Sequence, residues 1–217
     1  MVRRPARAAK AFRRSKAERA PRDLVLIVCE GEKTEKKYLK SLCNDLRLSG
    51  ASVTITPSHW GTDPVNVVAY AIDRCKVDEN IYARVYCVFD RDTHVNFNEA
   101  MALAESSPLA RKGILHAIPS VPCFEFWVLL HYVYTSAPFA TAGGRSPCDN
   151  VIEAMKRYIA NYAKSMEGLY DRLKPLTDHA LAHADRLEAE NLQSRSRNPT
   201  TGVHKLVRFL RELAQKV

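Results

Sequence analysis

Two apolar runs in this chain end in carboxylates. Leu24-Val25-Leu26-Ile27-Val28-Cys29 leads into Glu30-Gly31, and Val85-Tyr86-Cys87-Val88-Phe89 leads into Asp90-Arg91-Asp92. An unbroken apolar run with β-branched members reads as a strand covered on both faces. Such a strand gains nothing from a carboxylate at its tip unless something polar or cationic waits there. Brought together, Glu30, Asp90 and Asp92 make an oxygen-rich site suited to a hard divalent cation, Mg²⁺ or Mn²⁺.

Around these runs the pattern alternates between strand and helix. Gly31-Glu32-Lys33-Thr34 is a turn with Thr34 as helix cap. Tyr38, Leu39, Leu42, Cys43 and Leu46 mark an apolar helix face that Gly50 stops. Ser52–Pro57 alternates as a second strand, and Asp63-Pro64 opens a helix carrying Val67, Val68, Ala71, Ile72 and Cys75. Arg84–Phe89 is the third strand, a helix follows around Asn98–Leu109, and Ile114–Ile118 is the fourth, stopped by Pro119 and Pro122. Phe124–Tyr134 reads as a helix. Short-connected β and α elements imply an α/β, Rossmann-like class: a parallel sheet of about four strands flanked by helices. Pro138, Gly143, Gly144 and Pro147 make 135–150 a loop. Helices are expected at about 149–165, at about 167–193 with a break at Lys174-Pro175, and at about 201–216. The expected organisation is a basic arm (1–22), an α/β domain (23–140) and a C-terminal helical extension packed on it (141–217).

The charge is unevenly placed. The net charge is +9, but residues 1–22 hold nine Lys or Arg against the single acid Glu18, so the arm carries +8 and the rest +1. Such an arm is expected to be disordered in isolation and to suit nonspecific attraction to nucleic-acid phosphates; a solubilising tail fits the same composition. The six cysteines form no CxxC pair and have no zinc-ligand spacing, so they read as small buried apolar residues in a reducing compartment. No segment is apolar enough for a signal peptide or membrane span, and a cytoplasmic protein without membrane partners is expected.

In open parallel sheets, sites form beyond the carboxyl ends of the strands. Cys29-Glu30-Gly31-Glu32-Lys33-Thr34-Glu35 followed by Phe89-Asp90-Arg91-Asp92 resembles the Toprim arrangement, in which a Glu-Gly after the first strand and an Asp-x-Asp after the third bind Mg²⁺. The fuller resemblance is to the RloB-like family, Toprim-type proteins linked to restriction cassettes and phage defence. It is carried as well by Pro122-Cys123-Phe124-Glu125-Phe126-Trp127-Val128-Leu129-Leu130-His131 and by Asn198-Pro199-Thr200-Thr201-Gly202-Val203-His204-Lys205, and it covers most of 23–217. The chain departs from the family pattern at Val121, where Asn commonly precedes Pro, and at Cys123, where a small polar residue is more usual. The resemblance implies Glu30 as metal-proximal acid and general base, Asp90 and Asp92 as metal ligands with catalytic roles, Glu35 as a further metal ligand and Glu32 as a secondary candidate. Glu35 in a first helical turn also suits the helix dipole.

Substrate contacts are expected from Lys33, Arg91 and Glu125, and from Thr200, His204 and Lys205 where the last helix opens with Thr201 as cap. A base could stack on Trp60 in His59-Trp60-Gly61; packing under a loop is the other reading. His131 reads as a core histidine. Together with these residues, the resemblance implies a metal-dependent nuclease acting on RNA, tRNA included, or on DNA, in anti-phage defence. The chain holds no GxxxxGK[ST] motif, so nucleotide-driven sensing calls for a partner ATPase. A homodimer is one oligomeric state open to it. The alternative is a non-catalytic nucleic-acid-binding or regulatory subunit. A small-molecule phosphohydrolase of the haloacid-dehalogenase type would place its Asp-x-Asp after the first strand and fits less well.

Overall fold

The structure is a computed structural model that describes residues 24–31, 33–48, 50, 52–79 and 81–216; the basic arm and Glu32 lie outside the described residues. In chain order its elements are β1 (Leu24–Cys29), α1 (Thr34–Asp45), β2 (Val53–Pro57), α2 (Pro64–Val77), β3 (Tyr82–Asp90), α3 (Phe97–Ser106), α4 (Pro108–Arg111), β4 (Leu115–Val121), α5 (Glu125–Leu130), α6 (Pro147–Met155), α7 (Leu169–Leu173), α8 (Thr177–Ser194), β5 (Thr200–Thr201) and α9 (Val203–Gln215).

Alternation along the central strands sorts side chains into two cores. Val25, Ile27 and Cys29 of β1 and Tyr86 and Val88 of β3 enter one core, with apolar residues of α1, α5, α6, α7, α8 and α9. Leu26 and Val28 of β1 and Val85, Cys87 and Phe89 of β3 enter the other, with α2 and α3. Both strands are therefore covered on both faces, which is why their sequences read as unbroken apolar runs. Each fully buried Leu or Ile here, Leu26 and Ile27 among them, contributes roughly 1.5–3 kcal/mol by leaving water.

The strand order is β2-β1-β3-β4-β5. The first four strands run parallel, and β5 joins antiparallel through Ser120↔Thr201 and Val121↔Thr200. This fifth strand is an addition to the expected four. The chain leaves β1 toward β2 over one face and leaves β3 toward β4 over the other. The direction of winding thus reverses between β1 and β3, and the crevice at their carboxyl ends is where open α/β sheets place ligands.

Two local expectations are corrected. Thr34 is not the cap of α1: Lys33 occupies that position, and Thr34 is the buried first helical residue. The helix expected at 149–165 ends at Met155 and gives way to turns as far as Gly168. The break expected at Lys174-Pro175 is present as a 3-10 turn over Lys174–Leu176, where Pro175 lacks the N–H a continuous helix requires. The last two helices pack side by side, with Arg208–Asp185 and Arg211–Asp178 pairs along their exposed seam; exposed pairs of this kind are worth well under about 1 kcal/mol each, so the seam rests on Leu206, Val207 and Leu210. No helix among the described residues is long and apolar enough to cross a membrane.

Candidate metal centre and active site

The site is built where β1 and β3 end side by side. The register pairs Cys29 with Val88, so Glu30 falls level with Phe89, one residue short of Asp90 on the adjoining strand. Glu30 bends back across that gap. Its Oε2 accepts the backbone N–H of Asp90 at 2.9 Å, and its Oε1 lies 3.0 Å from His94 Nε2. Burial raises the Glu30 pKa above the ordinary carboxylate value, and the Asp90 N–H and His94 oppose that rise.

Asp90 is 8% exposed, and its Oδ1 is buried with no hydrogen-bond partner. Its pKa is raised well above the usual range, first by burial and then by the charges of Glu35, Glu30 and Glu125. Glu35, on the first turn of α1, is pushed up to about 7, again by burial first and then by Glu125 and Glu30. Glu30, Glu35, Asp90 and Glu125 are thus within electrostatic reach of one another. Four carboxylates in so small a volume either bind protons or require a cation.

Glu125 enters from the other side. It opens α5 directly after β4 and is 2% exposed. Thr34 and Tyr162 hydroxyls donate to its Oε1 at 3.4 and 3.2 Å. The same Thr34 hydroxyl accepts the N–H of Ser165 at 3.3 Å, so the turn segment after α6 is pinned against α1 and α5. Lys164 lies between Tyr162 and Ser165. Desolvation alone would lower its pKa, but the charges of Glu125, Asp90, Glu35 and Asp92 outweigh it and raise the pKa above the ordinary lysine value.

Asp92 stands at the edge of this group. Its backbone is left-handed (φ 25°), held by an N–H donated to the Pro122 carbonyl at 2.7 Å. Its Oδ1 accepts the N–H of Cys148, at the start of α6, at 3.4 Å. A non-glycine residue held at positive φ costs about 1–3 kcal/mol and is commonly found at functional sites.

The remaining candidates fall into two groups. Lys33 and Arg91 are exposed on the loops that carry Glu30 and Asp90, within the same rim. Thr200 pairs with Val121 at the top of β4, beside that rim. His204 and Lys205 are not brought to the acids. His204 is 1% exposed and bonds Glu188 at 3.3 Å, and Lys205 pairs with the same carboxylate at 2.5 Å. Lys205 lines a cavity with Tyr86 and His116, and Tyr86 lies four residues, about 13 Å, below Asp90 along β3. Glu188 thus takes up Lys205 and Nε2 of His204, while His204 Nδ1 is buried without a hydrogen-bond partner. Thr201 does accept the Val203 N–H at 3.2 Å. His131 is a core histidine as expected, 1% exposed and bonded to the Trp127 carbonyl at 2.9 Å.

The cysteine reading is corrected at two positions. Cys123 and Cys148 form a disulfide with Cα atoms 5.6 Å apart, whereas Cys29, Cys43, Cys75 and Cys87 are free and buried. Cys148 Sγ also lies 3.5 Å from Glu125 Oε2. Donor atoms of Cys123, Glu125 and Cys148 all fall within 4.8 Å of one another, the one such trio among the described residues. Two sulfurs and an oxygen could hold a thiophilic ion, but sulfurs joined to each other are not free thiolates.

The strand-end acids do not close to that spacing. Glu30 and Asp92 are turned toward backbone N–H donors, and the unpartnered oxygen belongs to Asp90. The donor set of the strand-end site is all oxygen, buried and under-satisfied, which fits Mg²⁺ or Mn²⁺ and not a soft metal.

His94, Tyr162 and Lys164 carry no signal in the sequence. His94 is placed by the short loop after β3, and the other two lie in turns without periodicity. No curated protein and no solved structure matches the chain. The family model described as RloB-like protein matches residues 25–210. That match spans β1 to α9 and includes every acid of the site, and the chain belongs to the RloB-like family.

Proposed function

We propose that this protein is a metal-dependent phosphodiesterase of Toprim type that cuts nucleic acid, RNA (tRNA included) or DNA, in anti-phage defence. One observation carries the reading: Asp90, buried at the β1/β3 edge among Glu30, Glu35 and Glu125, has a carboxylate oxygen with no protein partner. Glu30, Asp90, Glu35 and Glu125 would hold Mg²⁺ or Mn²⁺, with Asp92 beside them. When bound, such an ion stabilises charge on phosphoryl oxygens and lowers the pKa of water.

The protein's own residues supply the rest. Glu30 is fixed by the Asp90 N–H and His94, burial raises its pKa above the ordinary carboxylate value, and it is the candidate proton acceptor. Lys164 and the exposed Lys33 and Arg91 offer cationic contacts for flanking phosphates. The defence role rests on the family, as does a separate ATPase partner.

Purified protein is expected to cut single-stranded RNA or DNA with Mg²⁺ or Mn²⁺ and not in EDTA. Glu30→Gln should lower the rate by about 10²–10⁴-fold, the usual contribution of a general base. A non-catalytic subunit would bind the same strands without cutting them, and Glu30→Gln would change nothing.

A further inference from the structure

The loop after β2 carries an aromatic group that the fold leaves open to solvent. Trp60 is 50% exposed, whereas Trp127, the other tryptophan of the chain, is fully buried. The loop is rigidly placed. Ser58 N–H donates to the Cys29 carbonyl at 2.9 Å, and Cys29 is the residue before Glu30. Trp60 N–H donates to Ser58 Oγ at 3.3 Å, and Ser58 Oγ donates to the Asn66 carbonyl at 3.3 Å. Gly61, at φ 118°, turns the chain back toward α2. Under the loop, Tyr70 of α2 meets both His59 and Trp60 edge to face, with centroids at 5.4 and 5.9 Å.

A second tie runs to the other acid-bearing strand. Asp63, which caps α2, accepts a hydrogen bond from Asn96 in the loop after β3. That loop also carries His94, the partner of Glu30, and Val95, which is fully exposed. The rim beside Glu30 therefore presents Trp60 and Val95 on two loops bonded to each other. On the nuclease reading of the neighbouring acids, the complement of this half-exposed ring is the flat face of a nucleobase.

We propose that Trp60, supported by Tyr70 and flanked by His59, is a stacking subsite for an unpaired nucleobase of a single-stranded nucleic acid. This rests on the nuclease reading for the identity of the neighbouring site, but it concerns binding and is measured without cleavage. Unpaired bases present both π-faces, whereas paired and stacked bases do not, so single strands are favoured over duplex. Stacking of one base on an aromatic side chain corresponds to about 5- to 150-fold in affinity.

The test uses the full chain with Ca²⁺ in place of Mg²⁺, and end-labelled twelve-nucleotide adenine strands, RNA and DNA, followed by fluorescence anisotropy. The wild type is expected to bind the adenine strands and to bind an abasic strand of equal length and charge about 5- to 150-fold more weakly. Trp60→Ala should lose the difference between the two strands, and Trp60→Phe, which keeps a ring, should recover part of it. Tryptophan emission should be quenched by the adenine strand in the wild type and unaffected in Trp60→Phe, since Trp127 is buried. Equal affinity for adenine and abasic strands, or unchanged affinity in a folded Trp60→Ala protein, would overturn the proposal. If the wild type cuts nucleic acid with Mg²⁺ while Trp60→Ala keeps its KM, the stacking subsite falls and the nuclease stands. If Trp60-dependent binding occurs without any cutting, the subsite stands and the nuclease falls.

Discussion

Asp90→Asn is expected to separate stability from activity, with opposite signs. Cleavage should fall by about 10²–10³-fold or more, because a site that stabilises developing charge loses a principal charged group. In chelator at pH 8 the same variant should be more stable than wild type, by roughly 1–3 kcal/mol. The reason is local. In the metal-free protein Asp90 is buried with an unpartnered oxygen and faces three other carboxylates. An asparagine keeps an oxygen for the Phe124 N–H that steadies the carboxyl, and it turns an amide donor toward Glu30, Glu35 and Glu125. For a chain of this length each kcal/mol moves the melting temperature by about 2–4 °C, so a thermal melt reads the effect. A destabilised Asp90→Asn protein would mean that this carboxylate has a partner the account has missed.

The second large effect couples pH to metal. Asp90, Glu30 and Glu35 all have raised pKa values in the folded chain, Glu35 to about 7 from an ordinary value of 4.5. A carboxyl that holds its proton more tightly when folded stabilises the fold below its unfolded pKa. That contribution is lost as pH rises through the folded pKa. Without metal, stability should therefore decline between about pH 4.5 and 7 as Glu35 ionises beside the other acids. Glu35 alone accounts for roughly 2–3 kcal/mol of that decline, or about 5–10 °C. Mg²⁺ or Mn²⁺ takes the place of the lost protons, so millimolar metal should restore most of the melting temperature at pH 8 and change little at pH 5. Parallel melts across that range, with and without EDTA, read the difference. A pH-independent melting temperature, or equal stabilisation by metal at both ends, would remove the basis for a cation site here.

What the sequence made legible was decided by what burial does to composition. β1 and β3 announced themselves because strands covered on both faces allow no polar residue until they end. Glu30 and Asp90 then stood out as the first carboxylates beyond. Their adjacency followed from β-α alternation, since a parallel sheet that winds both ways places its first and third strands side by side. Glu125 and Glu35 were only half visible: each opens a helix, where an acid also favours the dipole, and only the tertiary fold turns both toward Asp90. Lys164, Tyr162 and His94 were invisible, because tertiary bonds such as Ser165 N–H to Thr34 Oγ1 and Tyr162 to Glu125 set their positions, with no local periodicity to mark them. The Cys123–Cys148 pairing was likewise out of reach, since a separation of 25 residues says nothing of Cα distance. The contact of Glu188, on α8, with both His204 and Lys205 was out of reach for the same reason, since it is made between two helices.

The acids at the β1/β3 edge are expected to hold a divalent cation. This expectation is tested most directly by titrating chelator-treated protein with Mn²⁺ at pH 8 and following free Mn²⁺ by electron paramagnetic resonance. Saturable binding is expected in the wild type, and Asp90→Asn and Glu30→Gln should each weaken it by at least about tenfold. No saturable binding, or binding that both variants retain at full strength, would contradict it.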